Sequence, residues 1–447
     1  MMNRYTSLKK FDNRSIMTHY QAPKGVFDIL PQDPQEPVSL YAASLWQQVE
    51  QAAKRIAKAY NCQEIRTPIF EHTEVFTRSS GESSDIVSKE MYTFMDKGDR
   101  SLTLRPEGTA AVARAYVEHQ LHRKKGANKL FYIGPYFRYD RPQAGRYRQF
   151  HQLGVEVFGI KDPELDVEMM AMLMDFYREL KLQDLTVLIN SIGDQTSRHA
   201  YKAALVEYLM PLKDQLSKDS QQRLEKNPLR ILDSKDLSDR RLLENAPKMK
   251  NFLNESSQDH FHRVISGLEG LKIPYVISDQ LVRGLDYYNH TVFEVIASTG
   301  NAQNTIGAGG RYDGLLHQLN GPDLPSVGFA TGIERTILTM IEQNVAQVKK
   351  EGIDLYFIPL NDDGKKICMQ LIHSARQLNL SADMNHTTYK IQKSLQQAYS
   401  ENARYAVIIG EEELVKECVK IKDLLSKEET VCPLKNFDRF CADTAQG

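Results

Sequence analysis

FYIGPYFRYDRPQAGRYRQFHQLGVE, residues 131–156, is the stretch on which the fold turns. Leu130–Ile133 and Phe150–Val157 read as two strands, and the polar run between them reads as a loop. Extended back to Leu121, the segment holds Arg123, Lys124, Lys125, Lys129, Arg138, Arg141, Arg146 and Arg148 against the single acid Asp140. Eight positive side chains and one negative give a local charge of +7 up to residue 150, inside a chain whose net charge is −1. Overall charge therefore says nothing about polyanions, and any basic surface has to be local. Two strands joined by such a loop can lay guanidinium forks on a polyphosphate, because the planar donors of arginine match phosphate oxygens in pairs and stay charged. Phe150 sits among them, where an aromatic could stack on a base. The bland alternative for this segment alone is a solvated basic hairpin.

Upstream, Val38, Tyr41, Leu45, Val49, Ala52, Ile56 and Tyr60 recur every three or four residues and predict a helix. EIRTPIF (64–70) then reads as a strand interrupted by Pro68, which cannot donate to a ladder, so an edge, bulge or interface position is expected. Residues 81–100 read as a loop and hairpin, and SLTLR (101–105) as a strand leading to a helix near Pro106. Downstream, helices are expected over 164–181 and 197–226, with a strand at TVLIN between them. Residues 195–270 are helical, polar and without strand signals, which suggests an insertion. Strands resume at PYVIS, TVFEVIA and SVGFAT, and a helix begins near Gly332. From Lys349 the pattern changes to DLYFIPL, helix, RYAVIIG, helix and VKIKDLL, an α/β alternation that predicts a small domain with a partly parallel sheet.

Length and composition set outer bounds. At roughly 100–200 residues per domain, the 447 residues suggest two to four domains. The five cysteines, Cys62, Cys368, Cys418, Cys432 and Cys441, include no CxxC pair, which argues against a zinc site. A sparse, odd set fits a reducing compartment. The polar, basic start lacks the apolar core of a secretory signal; a flexible extension over 1–20 is expected, with an organellar address as the alternative. No apolar run approaches the ~18–20 residues needed to cross a bilayer.

Four further segments could carry chemistry. LTLRPEGTAAVARA places Glu107 and Thr109 about a glycine at a helix start, where carboxylates can hold an ammonium group or simply cap the helix. LVRGLDYYNHTVFEV brings Arg283, Tyr287 and Tyr288 together, as a polar pocket or as core tyrosines. GAGGRYDGL (307–315) is glycine-rich but is neither a dinucleotide fingerprint nor a P-loop, and implies tight backbone packing near a ligand. SVGFATGIERTIL places Arg335 at a helix start, which favours anions. Several arginine-bearing segments without a P-loop suggest a nucleotide held by side chains.

In that order these segments resemble the class II aminoacyl-tRNA synthetases, and within them the histidyl-tRNA synthetase family, from about Pro23 to the C-terminus. The helix with EIRTPIF is similar to motif 1, a dimer-interface element in that class; YFRYDRP through RQFHQLGVEVFG is similar to motif 2, and GFATGIERTIL to motif 3. LVRGLDYY and GAGGRYDGL resemble two signatures of the histidine enzymes.

The resemblance implies an α+β fold: a catalytic core over 21–345 with a largely antiparallel sheet flanked by helices, a helical insertion over about 195–270, and an α/β anticodon-binding domain over 350–447. It implies ATP, L-histidine and tRNA(His) as partners, Mg2+ accompanying ATP in unspecified number, no resident metal site, a homodimer, and a cytoplasmic, non-membrane protein. It further implies that Glu107, Thr109 and Gln152 hold the histidine α-ammonium while Glu156, Tyr287 and Tyr288 surround the imidazole. Arg138 and Arg283 would flank the α-phosphate as the catalytic arginines. Arg146 and Arg335 would meet the other phosphates, Phe150 and Arg335 the adenine, and Arg141 and Gln143 the tRNA acceptor end. The rival reading is a non-catalytic regulatory paralogue that partners ATP phosphoribosyltransferase; Arg283, the tyrosine pair and the C-terminal domain speak against it.

Overall fold

The computed structural model describes residues 20–31, 38–81, 84, 86–123, 128–298, 305–348, 352–387 and 389–446. The extension expected over 1–20, the prolines Pro34 and Pro37 and the basic residues Lys124 and Lys125 thus fall outside the described residues, apart from Tyr20. The chain divides after Val348 into two units.

The first unit is organised by an eight-stranded sheet in the order Gln63–Glu64, Asn128–Phe137, Gln149–Phe158, Ser326–Gly332, Thr305–Arg311, Asn289–Ala297, Leu185–Ser191 and Tyr275–Ile277. Only the two edge pairings are parallel, so the largely antiparallel sheet is borne out. Successive side chains of a strand point to opposite faces. Leu153, Val155, Phe293, Val295, Val327 and Phe329 enter the main core with Leu45, Val49, Met169, Leu173, Val264, Leu268 and Ile337 from the covering helices. The intervening positions, Gln152, Glu294 and Gly328, face the other side, where a cleft opens. The helix over Ala43–Ala59 follows the expected spacing, but Val38 and Tyr41 precede it and are exposed.

One strand expectation needs correction, and the tight backbone packing expected of the glycine-rich run gains a place in the sheet. EIRTPIF is not one strand: Gln63–Glu64 joins the large sheet, whereas Phe70–His72 joins a separate three-stranded sheet with Ser101–Leu104 and Tyr92–Met95. Between them the buried Arg105 guanidinium takes the place of a ladder, donating to Thr67 O at 2.9 Å, Thr67 Oγ1 at 3.1 Å and Pro135 O at 2.8 Å. The glycine-rich run, in turn, is an interior strand, Thr305–Arg311. A Cβ at Gly309 would overlap Gly328 O on the adjacent strand, so only glycine lets the two backbones pair there.

Residues 195–270 hold helices and 3-10 turns and no strand, as expected, but the helix expected over 197–226 is broken into Gln195–Leu209, a 3-10 stretch Met210–Gln215 and Lys218–Lys226. Tyr201, Leu205, Leu209, Leu224, Ile231 and Met249 form a core of their own, whereas Val264 and Leu268 belong to the core of the sheet. The second unit has a five-stranded sheet ordered Ala382–Met384, Leu355–Pro359, Tyr405–Ile409, Cys418–Asp423 and Glu429–Pro433. The first three strands are parallel and the last two antiparallel, the mixed sheet expected.

Candidate active site

A cleft of about 520 Å³ opens on the polar face of the large sheet. Glu107, Thr109, Arg138, Arg146, Phe150, Gln152, Arg283, Tyr287, Tyr288 and Arg335 all line it, although they come from four segments separated by up to 228 positions in the chain. Arg141 and Gln143 do not; they are exposed on the loop joining the two central strands, where Gln143 and Arg146 exchange backbone hydrogen bonds of 3.1 and 2.8 Å.

One end of the cleft is acidic and phenolic. Both oxygens of Glu107 accept backbone N–H groups at the start of the helix Thr109–Glu118, from Thr109 at 2.7 Å and Ala110 at 2.9 Å. The capping role is therefore real, and the same carboxylate borders the cleft. Burial raises its pKa, against the pull of those two N–H donors and of the Arg138 charge. Beside it, Gln152 Oε1 is buried and has no hydrogen-bond partner, an acceptor waiting for a donor from outside the chain.

Glu156 lies beneath the lining, 1% exposed. It accepts from Thr109 Oγ1 at 2.8 Å, from Tyr132 Oη at 2.9 Å and from Tyr312 Oη. Burial outweighs these three hydroxyls and pushes its pKa up to about 8. Tyr287, Tyr288 and Tyr312 pack edge to face or tilted at centroid distances of 4.7–6.1 Å and wall this end. Sequence reasoning missed Tyr132 and Tyr312 as partners of Glu156. Tyr132 is wedged between Gly108 and Gly154, where any Cβ would overlap its ring. Two glycines set about a carboxylate and a helix start were the available signal.

The other end is cationic. Arg138 Nε donates to Pro106 O at 2.8 Å, and its guanidinium lies 5.2 Å from the Phe150 ring centroid. Burial lowers the Arg138 pKa, while the charges of Glu90 and Glu107 oppose that shift. Arg335 Nε donates to Gly145 O at 3.0 Å and its Nη1 to Thr305 O at 2.7 Å. The ring of Phe150 thus carries Arg138 here, while Arg335 is tied to the loop glycine and the glycine-rich strand. Arg335 also has a lowered pKa, through burial first and then the nearby Arg146 and Arg138 charges. Arg146 makes a 3.3 Å ion pair with Asp140. Glu334, next to Arg335, accepts the backbone N–H of His151 at 2.9 and 3.0 Å and so pins the helix Ile333–Glu342 to the strand Gln149–Phe158.

Arg283 faces these groups and is paired with Glu294, which also accepts from Thr305 Oγ1 at 2.8 Å. Burial is the largest single effect and lowers the Arg283 pKa, but Glu294, Tyr288 and Tyr287 together outweigh it and raise the value. Glu294 is a third residue the sequence reading did not single out. Its alternation with the core residues Phe293 and Val295 was the only sequence signal.

A family profile described as "Histidyl-tRNA synthetase" matches residues 38–336, and one described as "Anticodon binding domain" matches residues 354–443. A histidine–tRNA ligase of Protochlamydia amoebophila (strain UWE25) is 50% identical over 408 residues, covering 91% of this chain and 96% of its own. A histidine–tRNA ligase of Latilactobacillus sakei subsp. sakei (strain 23K) is 46% identical over 424 residues, covering 94% and 96%. The crystal structure of apo S. aureus histidyl-tRNA synthetase superposes with a TM-score of 0.80 at 37% identity, spanning 95% of this chain and all of that one.

Proposed function

Since the chain belongs to the histidyl-tRNA synthetase family, we propose that it activates L-histidine with ATP to histidyl-adenylate and pyrophosphate and then transfers histidine to the 3′ end of tRNA(His). The observation that carries this assignment to the residues is the polarity of the cleft. An orphaned Gln152 Oε1 and the Glu107 carboxylate suit an ammonium group at one end, and Arg138, Arg146, Arg283 and Arg335 suit a polyphosphate at the other.

The reaction needs no base in its first step, because the histidine carboxylate is already a nucleophile. It attacks the α-phosphorus in line and pyrophosphate leaves. Arg138 and Arg283 meet the charge that accumulates on the non-bridging oxygens from two sides, as fixed dipoles and charges do in phosphoryl transfer. Arg283 exchanges its Glu294 partner for phosphate. Arg146 and Arg335 neutralise the leaving pyrophosphate, and Phe150 offers a face to adenine. The carboxylate of Glu156 and the phenol of Tyr288 select imidazole by its paired donor and acceptor. Arg141 and Gln143, on the exposed loop, meet the acceptor end of the tRNA, and the anticodon-binding domain meets the other end.

The described residues hold no cluster of three or more metal-ligating side chains. ATP would bring Mg2+ into this site as its own complex, with phosphate oxygens and water as most of its ligands, and the ion would shield the phosphate charge. Glu294 and Asp233 are the carboxylates beside Arg283 that would complete its shell.

Exposed Ile69, Phe70, Phe94 and Met95 gather on the three-stranded sheet, with the Phe70 and Phe94 rings 6.3 Å apart. A second copy of the chain covering this apolar face gives the dimer; sedimentation as a single chain would exclude it. Among the described residues no helix is long and apolar enough to cross a membrane, and we place the enzyme in the cytoplasm, where its sparse cysteines fit. The assignment is tested by pyrophosphate exchange across the twenty amino acids. Exchange should depend on L-histidine; equal exchange with threonine or proline would overturn it.

A further inference from the structure

The segment that carries Arg283, Tyr287 and Tyr288 belongs to no helix or strand. It therefore lacks a ladder of its own to fix it, although on the proposed function it has to hold a guanidinium and two phenols in place. The contacts that hold it come largely from the helical stretch 195–253. Arg230, in the 3-10 turn Pro228–Asp233, donates through Nη1 to Gly284 O at 2.9 Å. Asn227 Nδ2 donates to Asp286 Oδ1 at 2.7 Å. Arg198, on the helix Gln195–Leu209, donates through Nη1 to Tyr288 O at 2.7 Å and to Asp286 O at 3.3 Å. From the sheet, Asn190 Nδ2 adds a bond to Leu281 O at 3.1 Å.

Each donor reaches a group that flanks Arg283 or follows it by one to five residues. Arg230 is 9% exposed, and Arg198 is half-buried, which lowers its pKa. Arg198, Asn227 and Arg230 line, with Arg283, Asp286 and Tyr288, one cavity of about 30 Å³, room for a water molecule or so. The same stretch also sends Asp233 and Lys235 into the wall of the catalytic cleft.

We propose that Arg230, Asn227 and Arg198 are positioning residues for adenylation: the helical stretch 195–253 is a clamp that sets Arg283 against the α-phosphate. A displacement of about 1 Å at a reacting group costs on the order of 10²-fold in rate, so loosening the clamp should act on the chemical step without touching substrate. The inference rests on the proposed function, and wild-type histidine-dependent exchange tests that reading separately.

The experiment uses the full chain and the variants Arg230→Met, Arg283→Ala and the two combined. Arg230→Met keeps the side chain's bulk and removes its donors. Single-turnover adenylation by Arg230→Met should fall about 10-fold or more, with the KM values for ATP and histidine within about 2-fold of wild type and the thermal midpoint retained. The double variant should be no slower than Arg283→Ala alone, because a group that acts only by placing Arg283 has nothing left to place. Arg230→Lys should recover part of the rate. Losses that multiply in the double variant, or normal adenylation with only the transfer to tRNA impaired, would overturn the proposal. Should Arg230→Met lose its fold, Asn227→Ala, at the end of the helix Lys218–Lys226, carries the same expectations and the same refutations.

Discussion

Replacing Glu156 by glutamine should make the catalytic unit progressively more stable, relative to the parent, as pH rises, and a poorer enzyme at every pH. The side chain is buried, and its pKa rises from 4.5 to about 8. A folded-state pKa above the unfolded value means that the folded chain binds the proton more tightly. The contribution is then fully favourable below about 4.5 and is lost as pH climbs to about 8. With those two values, linkage costs the parent roughly 3–4 kcal/mol between about pH 5 and pH 8, and the loss levels off above that. Glutamine carries no such proton, so the stability difference between parent and variant should change by that amount whatever constant offset the new amide introduces. Trp46 is the only tryptophan and sits buried in the first unit, so its fluorescence during urea unfolding at pH 5 to 9 reports that unit without the second. In the same variant kcat/KM for histidine should drop by up to about one order of magnitude, the worth of a hydrogen bond to a neutral carboxyl. A limb of the parent's pH profile near 8 should vanish with it. A stability difference that stays flat from pH 5 to 8 would show that Glu156 is ionised throughout, and would refute the argument from burial.

Arg283→Ala should leave histidine binding largely intact and cut single-turnover adenylation by roughly 10²–10³, the cost of a lost oxyanion-type donor; an unchanged rate would remove Arg283 from the chemistry. Asp166→Asn should destabilise the first unit by about 3–5 kcal/mol by the same urea assay, because the fully buried Arg311 would lose its carboxylate while His260 and Thr291 lose a shared acceptor. A loss under about 1 kcal/mol would mean that Ile160 O, Asp162 O and Asp313 suffice for that guanidinium. Truncation after Val348, where the two units divide, should spare histidine-dependent exchange and impair aminoacylation; undiminished aminoacylation would count against anticodon contacts by the second unit.

How much of this was legible in the sequence depended on whether a residue's local pattern and its tertiary job agreed. The two central strands and their basic loop were readable because apolar alternation and clustered arginines are both local signals. The strand Thr305–Arg311 was not readable as a strand, because glycine weakens strands in isolation. Its place is fixed by Gly328 and Phe293 on the neighbouring strands, which leave no room for a Cβ at Gly309. EIRTPIF misled for the opposite reason. Its apolar, β-prone residues suggest a continuous strand, but Pro68 breaks the ladder, and the guanidinium that repairs the break belongs to Arg105, 37 positions away. The site residues lining the cleft were named from motifs; their environment was not. Nothing near Arg283 in sequence announces Glu294 or Arg230 as its neighbours.

The phenols about Glu156 bear on how imidazole is chosen. Three hydroxyls already point at this carboxylate, and a hydroxyl can turn from donor to acceptor. On the proposed reading the cluster can therefore present either an ionised Glu156 to a ring N–H or a protonated one to a bare ring nitrogen, with Tyr132, Tyr312 and Thr109 reorienting to keep every group paired. An apolar ring of the same size offers neither a donor nor an acceptor. It would gain no hydrogen bond from the cluster where imidazole gains two, and a site built on such bonds discriminates by on the order of 10⁴ or more. Selection then comes from bonds that imidazole makes and an apolar ring does not, and it rests on a carboxyl as deeply buried as Glu156, whose pKa is pushed up to about 8.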